Sequence, residues 1–266
     1  MSTSFGDMVQ PFYNTRTRLI SLFVFIALIS VGRTFAQAPS SGASAPGCGP
    51  VWQQRMTIGQ AQLDDAFKLA AKGEVAQALA IIDQVIATDP QNWRSYFLKS
   101  AVLTLARRGD EALRQLDISI NLARKSFVKP ALLAELYESK ARSCIDYGKY
   151  DEARKSLDSA VRLQPENPTT LNDLAWLLAT SKASKVRDGR RAVSLAMKAC
   201  RLEGWKNAFA IDTLAAASAA AGNFSDAVKY QQLAISKLGP DDRKAQLGGM
   251  QSRLQGYTSG QAYVGI

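Results

Sequence analysis

The stretch that decides the fold is Tyr147–Asn167, which reads YGKYDEARKSLDSAVRLQPEN. Gly148 interrupts the preceding helical pattern, and Asp151 lies where an acidic residue favours the start of a new helix. Apolar positions then recur at helical spacing, i, i+4 and i+7, at Ala153, Leu157 and Ala160. Pro165 ends the pattern. One helix pair of this kind cannot bury its apolar face alone, so the sequence is expected to contain further copies.

The pattern does recur along the chain. The small residue that follows each turn is found at Ala78, Ala112, Ala153, Ala192 and Ala227. Successive copies are therefore 34, 41, 39 and 35 residues apart. The segments KGEVAQALAIIDQVIATDPQN at 72–92 and AGNFSDAVKYQQLAISKLGPDD at 221–242 repeat the surroundings as well. Gly73 and Gly109 are expected to form turns within the first two copies.

This period and these positions resemble the tetratricopeptide repeat (TPR), a helix–turn–helix unit of about 34 residues. The repeats are placed at about 59–92, 93–126, 134–167, 168–207 and 208–241. The runs LAWLLAT, RDGRRAVSLAMKAC, GWKN and DTLAAASAAAGNFSDAV, within about 170–235, resemble paired repeats at the C-terminal end of bacterial TPR proteins, planctomycete ones among them. That narrower resemblance implies a bacterial source and names no ligand.

The resemblance implies an all-α fold, a right-handed superhelical TPR solenoid of about five repeats over residues 51–254. A polar capping helix is expected at 241–254, followed by a flexible tail at 255–266. A longer connection is expected at about Lys125–Pro130, because no proline ends the second repeat at the usual place.

The N-terminal segment, residues 1–38, has the features of a signal peptide or signal anchor. Leu19–Val31 is an uncharged apolar run preceded by arginines, and it is short for a spanning helix. Ala36–Ala38 offers a cleavage site, but Pro39 would follow the cut and fit a peptidase poorly. The segment is therefore either removed or kept as a membrane tether. Residues 39–50 are a disordered Pro/Gly/Ser linker, and the chain is expected to be periplasmic or secreted.

Composition excludes several kinds of chemistry. The chain has 266 residues, a net charge of +10 and no histidine, so a Ser-His-Asp triad and a histidine-ligated metal are excluded. Lysine and arginine are interspersed with acids, which gives no basic stripe for nucleic acid. Cys144 and Cys200 lie on apolar helix faces and are expected to be buried, whereas Cys48, in the linker, is either a free thiol or an intermolecular disulfide. No cofactor, metal or catalytic site is predicted.

The resemblance also implies where a partner would bind. In TPR proteins the first helix of each repeat lines the concave groove, and its register positions point into that groove. Arginine and aromatic side chains are common anchors of protein contacts. The candidate groove residues are Phe67, Arg94, Phe97, Glu138, Arg142, Asn172, Trp176, Phe209 and Asp212. An extended peptide could lay its backbone along Asn172 and its acidic groups against Arg94 and Arg142. A slip of one residue would instead place the aromatic side chains between helices.

Three hypotheses for function follow from these observations. The first is a non-enzymatic scaffold in the cell envelope that binds a peptide or protein partner in the groove. The second is an accessory subunit or assembly factor of a cell-envelope enzyme complex. The third is structural self-assembly through the ends of the solenoid.

Overall fold

The structure is a computed structural model that describes residues 50–266, and the side chains from residue 59 onward. The predicted signal or anchor segment, all but the last residue of the linker, and Cys48 lie outside the described residues. The regular structure between residues 50 and 266 is entirely helical. The helices of this part are α1 (Pro50–Ala71), α2 (Val75–Thr88), α3 (Trp93–Leu105), α4 (Gly109–Lys125), α5 (Pro130–Asp146), α6 (Tyr150–Leu163), α7 (Pro168–Thr180), a 3₁₀ turn (Ser184–Val186), α8 (Gly189–Leu202), α9 (Ala208–Ala220), α10 (Phe224–Lys237) and α11 (Pro240–Thr258).

The helices belong to two compact units. Unit 1 ends at Leu122 and unit 2 comprises Ala123–Ile266, so the boundary falls within α4. In both units the helices follow one another as the paired elements that the repeat pattern predicts, and the helix pairs α1–α2, α5–α6, α7–α8 and α9–α10 each pack together. The all-α repeat architecture predicted from the sequence is confirmed.

Unit 1 has an aliphatic core between its first three helices. Its buried members are Leu63, Ala66, Ala70, Ala78, Ile82, Val85, Leu98 and Val102. The Ser119 hydroxyl of α4 donates to the buried Trp93 carbonyl of α3 over 2.9 Å, and the Lys99 ammonium reaches Asp83 of α2 at 2.6 Å. The first contact joins the two helices of the second repeat, and the second contact joins that repeat to the first.

Unit 2 is built around α9, which packs against α7, α8, α10 and α11. Eleven of its 13 residues are buried, and most of them are alanines. Because alanine adds so little volume beyond the backbone, four helices can pack closely around it. Gly189, at the start of α8, lies against the end of α9, where a Cβ atom would be 2.5 Å from the Ala220 carbonyl carbon. Cys144 and Cys200 are buried, as predicted.

Asparagine begins the first helix of three repeats. The side chains of Asn92, Asn167 and Asn207 each accept a hydrogen bond from the backbone N–H two residues later. Asn167 and Asn207 also accept one from the backbone N–H three residues later. These side chains satisfy donors that a helix N-terminus leaves unpaired. They recur with the repeat and mark its start.

The turn in the second repeat differs from the prediction. Gly73, and its counterparts in repeats three and five, have positive φ values, 86° for Gly73. The corresponding residue of repeat two is Arg107, with φ of 60°, and Gly109 is already the first residue of α4. A non-glycine residue in this conformation costs roughly 1–2 kcal/mol, so the second repeat folds with a strained turn.

The end of the chain also differs from expectation. The capping helix runs from Pro240 to Thr258, four residues beyond the predicted end, because Gln246, Met250, Arg253 and Tyr257 form a buried stripe along it. Residues 259–266 are not a frayed tail: they are hydrogen-bonded to the end of α7. The expected longer connection between α4 and α5 is not found: residues 126–129 form a connection as short as 89–92 and 164–167, and the extra residues lengthen α4 to 17 residues instead. Among the described residues, none of the helices has both the length and the apolar composition that crossing a bilayer requires.

Candidate functional site

The first helices of repeats three to five present the predicted groove positions of unit 2. Helices α7 and α9 pack together, and a hydrogen bond joins α5 to α7. The predicted groove positions on these three helices are together called the α5–α7–α9 face. They are Glu138, Arg142, Asn172, Trp176, Phe209 and Asp212.

The α5–α7 part of this face is polar and half-buried. The Thr170 hydroxyl donates to the Glu138 carboxylate across the two helices. Burial raises the pKa of Glu138, although the Thr170 hydrogen bond and nearby Arg142 oppose that shift. Arg142 donates to the Ser139 hydroxyl at 3.4 Å. A carboxylate and a guanidinium therefore lie one helical turn apart on the same face.

Asn172 lies on α7 two residues after Thr170, and the residue as a whole is half-buried. Its Oδ1 atom is buried and accepts no hydrogen bond from the described residues. A buried carbonyl oxygen without a donor costs about 1–3 kcal/mol, so turning this side chain outward to meet a donor on another molecule would be stabilising.

Asp212 has a different role from the one predicted. It is 2% exposed and accepts from Arg253 of α11 through two hydrogen bonds, Nε to Oδ1 at 3.1 Å and Nη2 to Oδ2 at 2.8 Å. The Gln231 amide of α10 donates to the same Oδ1 at 2.7 Å. Asp212 thus ties α9 to α10 and α11, and its carboxylate is already satisfied within the chain.

Trp176 lies in a cluster of aromatic rings around the Arg253 guanidinium. The guanidinium carbon is 5.7 Å from the Trp176 ring centroid and 5.5 Å from that of Tyr263. The two ring centroids are 5.9 Å apart, tilted by 40°. This arrangement combines ring–ring contact with cation–π attraction, each worth about 0.5–1.5 kcal/mol. Trp176, a predicted groove residue, is therefore in contact with Tyr263 from the end of the same chain.

The remaining predicted positions pack into the cores. Phe67 and Phe209 are half-buried against the hydrophobic clusters of units 1 and 2, and Phe97 is buried. The Arg94 guanidinium lies over the Trp93 ring, 4.6 Å from its centroid, and burial lowers its pKa. Within unit 1 the aromatic positions therefore contribute mainly to packing between helices, which was the alternative interpretation of the pattern.

Sequence reasoning missed Arg253, Tyr257 and Tyr263. Arg253 and Tyr257 were assigned to a polar cap and a frayed tail, yet they lie on the buried stripe of α11. Tyr257 is 1% exposed, its hydroxyl has no partner among the described residues, and burial raises its pKa. The helical spacing of Met250, Arg253 and Tyr257 was the available signal. The described residues include no group of three or more histidine, cysteine or acidic side chains that could hold a metal ion.

Comparison with known proteins agrees with the helical-repeat fold. Residues 140–185 match the model of the tetratricopeptide repeat. The fold is similar to a MamA protein (18% identity, TM-score 0.55, covering 73% of this chain and 96% of that one). It is also similar to YrrB, a TPR protein with an unusual peptide-binding site (16%, 0.56, 71% and 90%). A third similar structure is a putative kinesin light chain with nearly identical TPR-like repeats from Podosopora anserina (17%, 0.55, 70% and 96%). No curated protein matches the sequence. The TPR resemblance and fold are thereby confirmed, while the bacterial, planctomycete-like source stays a prediction.

Proposed function

We propose that this chain, a TPR protein by fold, is a non-enzymatic scaffold that binds an extended peptide or protein segment on the α5–α7–α9 face. The observation that carries the proposal is Asn172, whose buried carbonyl oxygen lacks a donor within the described residues. The backbone N–H of a bound segment is a donor of the right kind. Asn172 is also the position at which the sequence predicted contact with a peptide backbone.

The neighbouring side chains suit the same role. Glu138 offers an acceptor and Arg142 a donor one turn away, and both are half-buried, where polar contacts are stronger than in water. Trp176 adds an aromatic surface of the type common in binding hot spots. The structurally similar YrrB is described as having a peptide-binding site, which supports the proposal by analogy alone.

The proposal of a non-catalytic role rests on the composition and on the site. General acid–base chemistry requires titratable groups converging on a substrate pocket. On the α5–α7–α9 face Asp212 is neutralised by Arg253, and Glu138 is hydrogen-bonded to Thr170. No cofactor is proposed, and the partner is a protein or peptide.

We further propose that the chain acts in the cell envelope, periplasmic or secreted, with Leu19–Val31 as export signal or tether. The support is the sequence of residues 1–38, with its arginines, apolar run and Ala36–Ala38. Intact-mass measurement of the native protein tests this: loss of about 36–38 residues indicates cleavage, and the full mass in a membrane fraction indicates a tether.

Site-specific cross-linking tests the binding proposal. A photoreactive amino acid is placed at Thr169, an exposed position on α7, and in a matched control at Ser194, an exposed position on α8. Discrete adducts from position 169 that are absent at 194 are expected in an envelope extract, and Asn172→Ala should reduce their yield. The same adducts from both positions, or adducts unaffected by Asn172→Ala, would contradict the proposal.

A further inference from the structure

Residues 259–266 bind the end of α7 through their backbone. The Gly265 and Ile266 N–H groups donate to the Thr180 carbonyl oxygen, at 3.0 and 3.3 Å, and the Lys182 N–H donates to the Ile266 carbonyl oxygen. The last carbonyls of a helix have no partner inside it. The end of α7 therefore offers a backbone acceptor and a nearby donor, and an extended segment satisfies both.

The side chains of the segment add one aromatic anchor. Tyr263 contacts Trp176 and Arg253, as described above, and it is half-buried. Gly265 lies so close to the Tyr263 ring that a Cβ atom would overlap it. Val264, between them, is 47% exposed. The docked pattern is thus an aromatic residue, an outward-facing residue and a glycine.

The side chains of the segment carry no charge. Residues 260–266 read GQAYVGI. The Arg253 guanidinium beneath Tyr263 is already paired with Asp212 at 2.8 Å. An acidic side chain in the place of Tyr263 would therefore find this guanidinium already paired, in contrast to the acidic peptide suggested by Arg94 and Arg142.

We propose that the end of α7 is a peptide site for an extended segment with uncharged side chains and the pattern aromatic–x–glycine, and that residues 260–266 are its intramolecular occupant. A partner segment of the same chemistry competes with that occupant. This proposal rests on the proposed function, since it names the class of partner for the α7 part of the same face.

Residues 260–266 are held by few contacts, so a competing peptide can displace them. Three backbone hydrogen bonds and one ring hold the segment, each worth about 1 kcal/mol net. A tethered ligand competes at an effective concentration in the millimolar range. An external peptide must therefore overcome the tethered one, and weakening the tethered one should raise the apparent affinity in proportion.

The test measures binding of a fluorescent GQAYVGI peptide to the full chain by fluorescence anisotropy. In the Tyr263→Ala variant, binding is expected to be about fivefold tighter than in wild type. Val264→Ala, a matched control at the exposed neighbour, should bind like wild type. The peptide GQAAVGI should bind about fivefold more weakly than GQAYVGI to Tyr263→Ala. Adding Trp176→Phe or Trp176→Ala to Tyr263→Ala should weaken GQAYVGI binding, and circular dichroism verifies that each variant is folded.

Several outcomes would overturn the proposal. Equal affinities of wild type and Tyr263→Ala would show that the segment does not occupy the site. Unchanged binding in the folded Trp176 variants would place the peptide elsewhere. A wild-type dimer that the peptide dissociates would show that a second copy, rather than the same chain, supplies the segment. Because none of these arms uses Thr169 or Asn172, failure here is distinguishable from failure of the cross-linking test.

Discussion

Replacing Arg253 with methionine should lower the free energy of unfolding by about 3–5 kcal/mol, because it leaves a buried charge without its partner. The Asp212 and Arg253 side chains are only 3% and 6% exposed, and two hydrogen bonds join them. After the substitution Asp212 would keep one partner, the Gln231 amide at 2.7 Å. One neutral donor cannot replace a bidentate guanidinium at a carboxylate withdrawn from water.

The assay is urea denaturation of the full chain, followed by circular dichroism. The control is Lys244→Met on the same helix, where the lysine is exposed, and the expected change is within about 0.5 kcal/mol. Asp212→Asn, added to Arg253→Met, removes the unpaired charge and keeps an acceptor for Gln231. It should restore at least about 2 kcal/mol.

The reasoning would be refuted by either of two results. One is a loss below about 1 kcal/mol for Arg253→Met, which would mean that the carboxylate is rehydrated at little cost. The other is a double variant no more stable than Arg253→Met. That result would assign the loss to packing of the arginine stem, since removing the charge would then change nothing.

Three further predictions concern single positions, each measured by denaturation of the full chain. Gly189→Ala should destabilise by about 1–3 kcal/mol, because its Cβ would meet the Ala220 backbone, which cannot move aside as a side chain could; a neutral effect would contradict the close approach. Arg107→Gly should stabilise by up to about 1 kcal/mol by relieving the positive φ, and a loss would show that the arginine side chain contributes more than the strain. Glu138→Gln should stabilise at neutral pH. Because burial raises the folded-state pKa of Glu138, its carboxylate destabilises the fold above that pKa. The stability advantage of glutamine should fade as the pH falls from the folded-state pKa to the unfolded-state pKa near ~4.3. An advantage of glutamine that grew towards low pH would contradict the raised pKa.

The fold was predictable because its signal is repeated. Each copy contributes the same small residue after the turn and the same apolar spacing, so errors at one copy are corrected by the others. Repeat two shows the limit of that reasoning. Its glycine lies two positions after the residue with positive φ, and Arg107 adopts the conformation that glycine adopts in other copies. The helix pairing imposes the turn on whichever residue occupies that position.

The candidate site was predictable only in part. Trp176 and Asn172 lie on α7, the first helix of its repeat, and are half-buried, while their contact with a partner stays a prediction. Two of the partners lie outside the repeats: Arg253 of α11, which pairs with Asp212, and Tyr263, which contacts Trp176. No periodicity connects those segments to α7 or α9. A polar-looking helix with an arginine on its buried stripe is ambiguous in sequence, because burial of the charge depends on an acid 41 residues away.

The alanine-rich helix α9 has a consequence for how this end of the molecule can change. Burying alanine freezes no side-chain rotamers, so α9 is ordered at a smaller entropic cost than a leucine-rich helix would be. The same absence of rotamers leaves no group that can turn away to admit a larger neighbour. Variation in sequence should therefore be tolerated on the helices that surround α9 and rejected along α9 itself, which would make this helix the slowest-evolving part of unit 2.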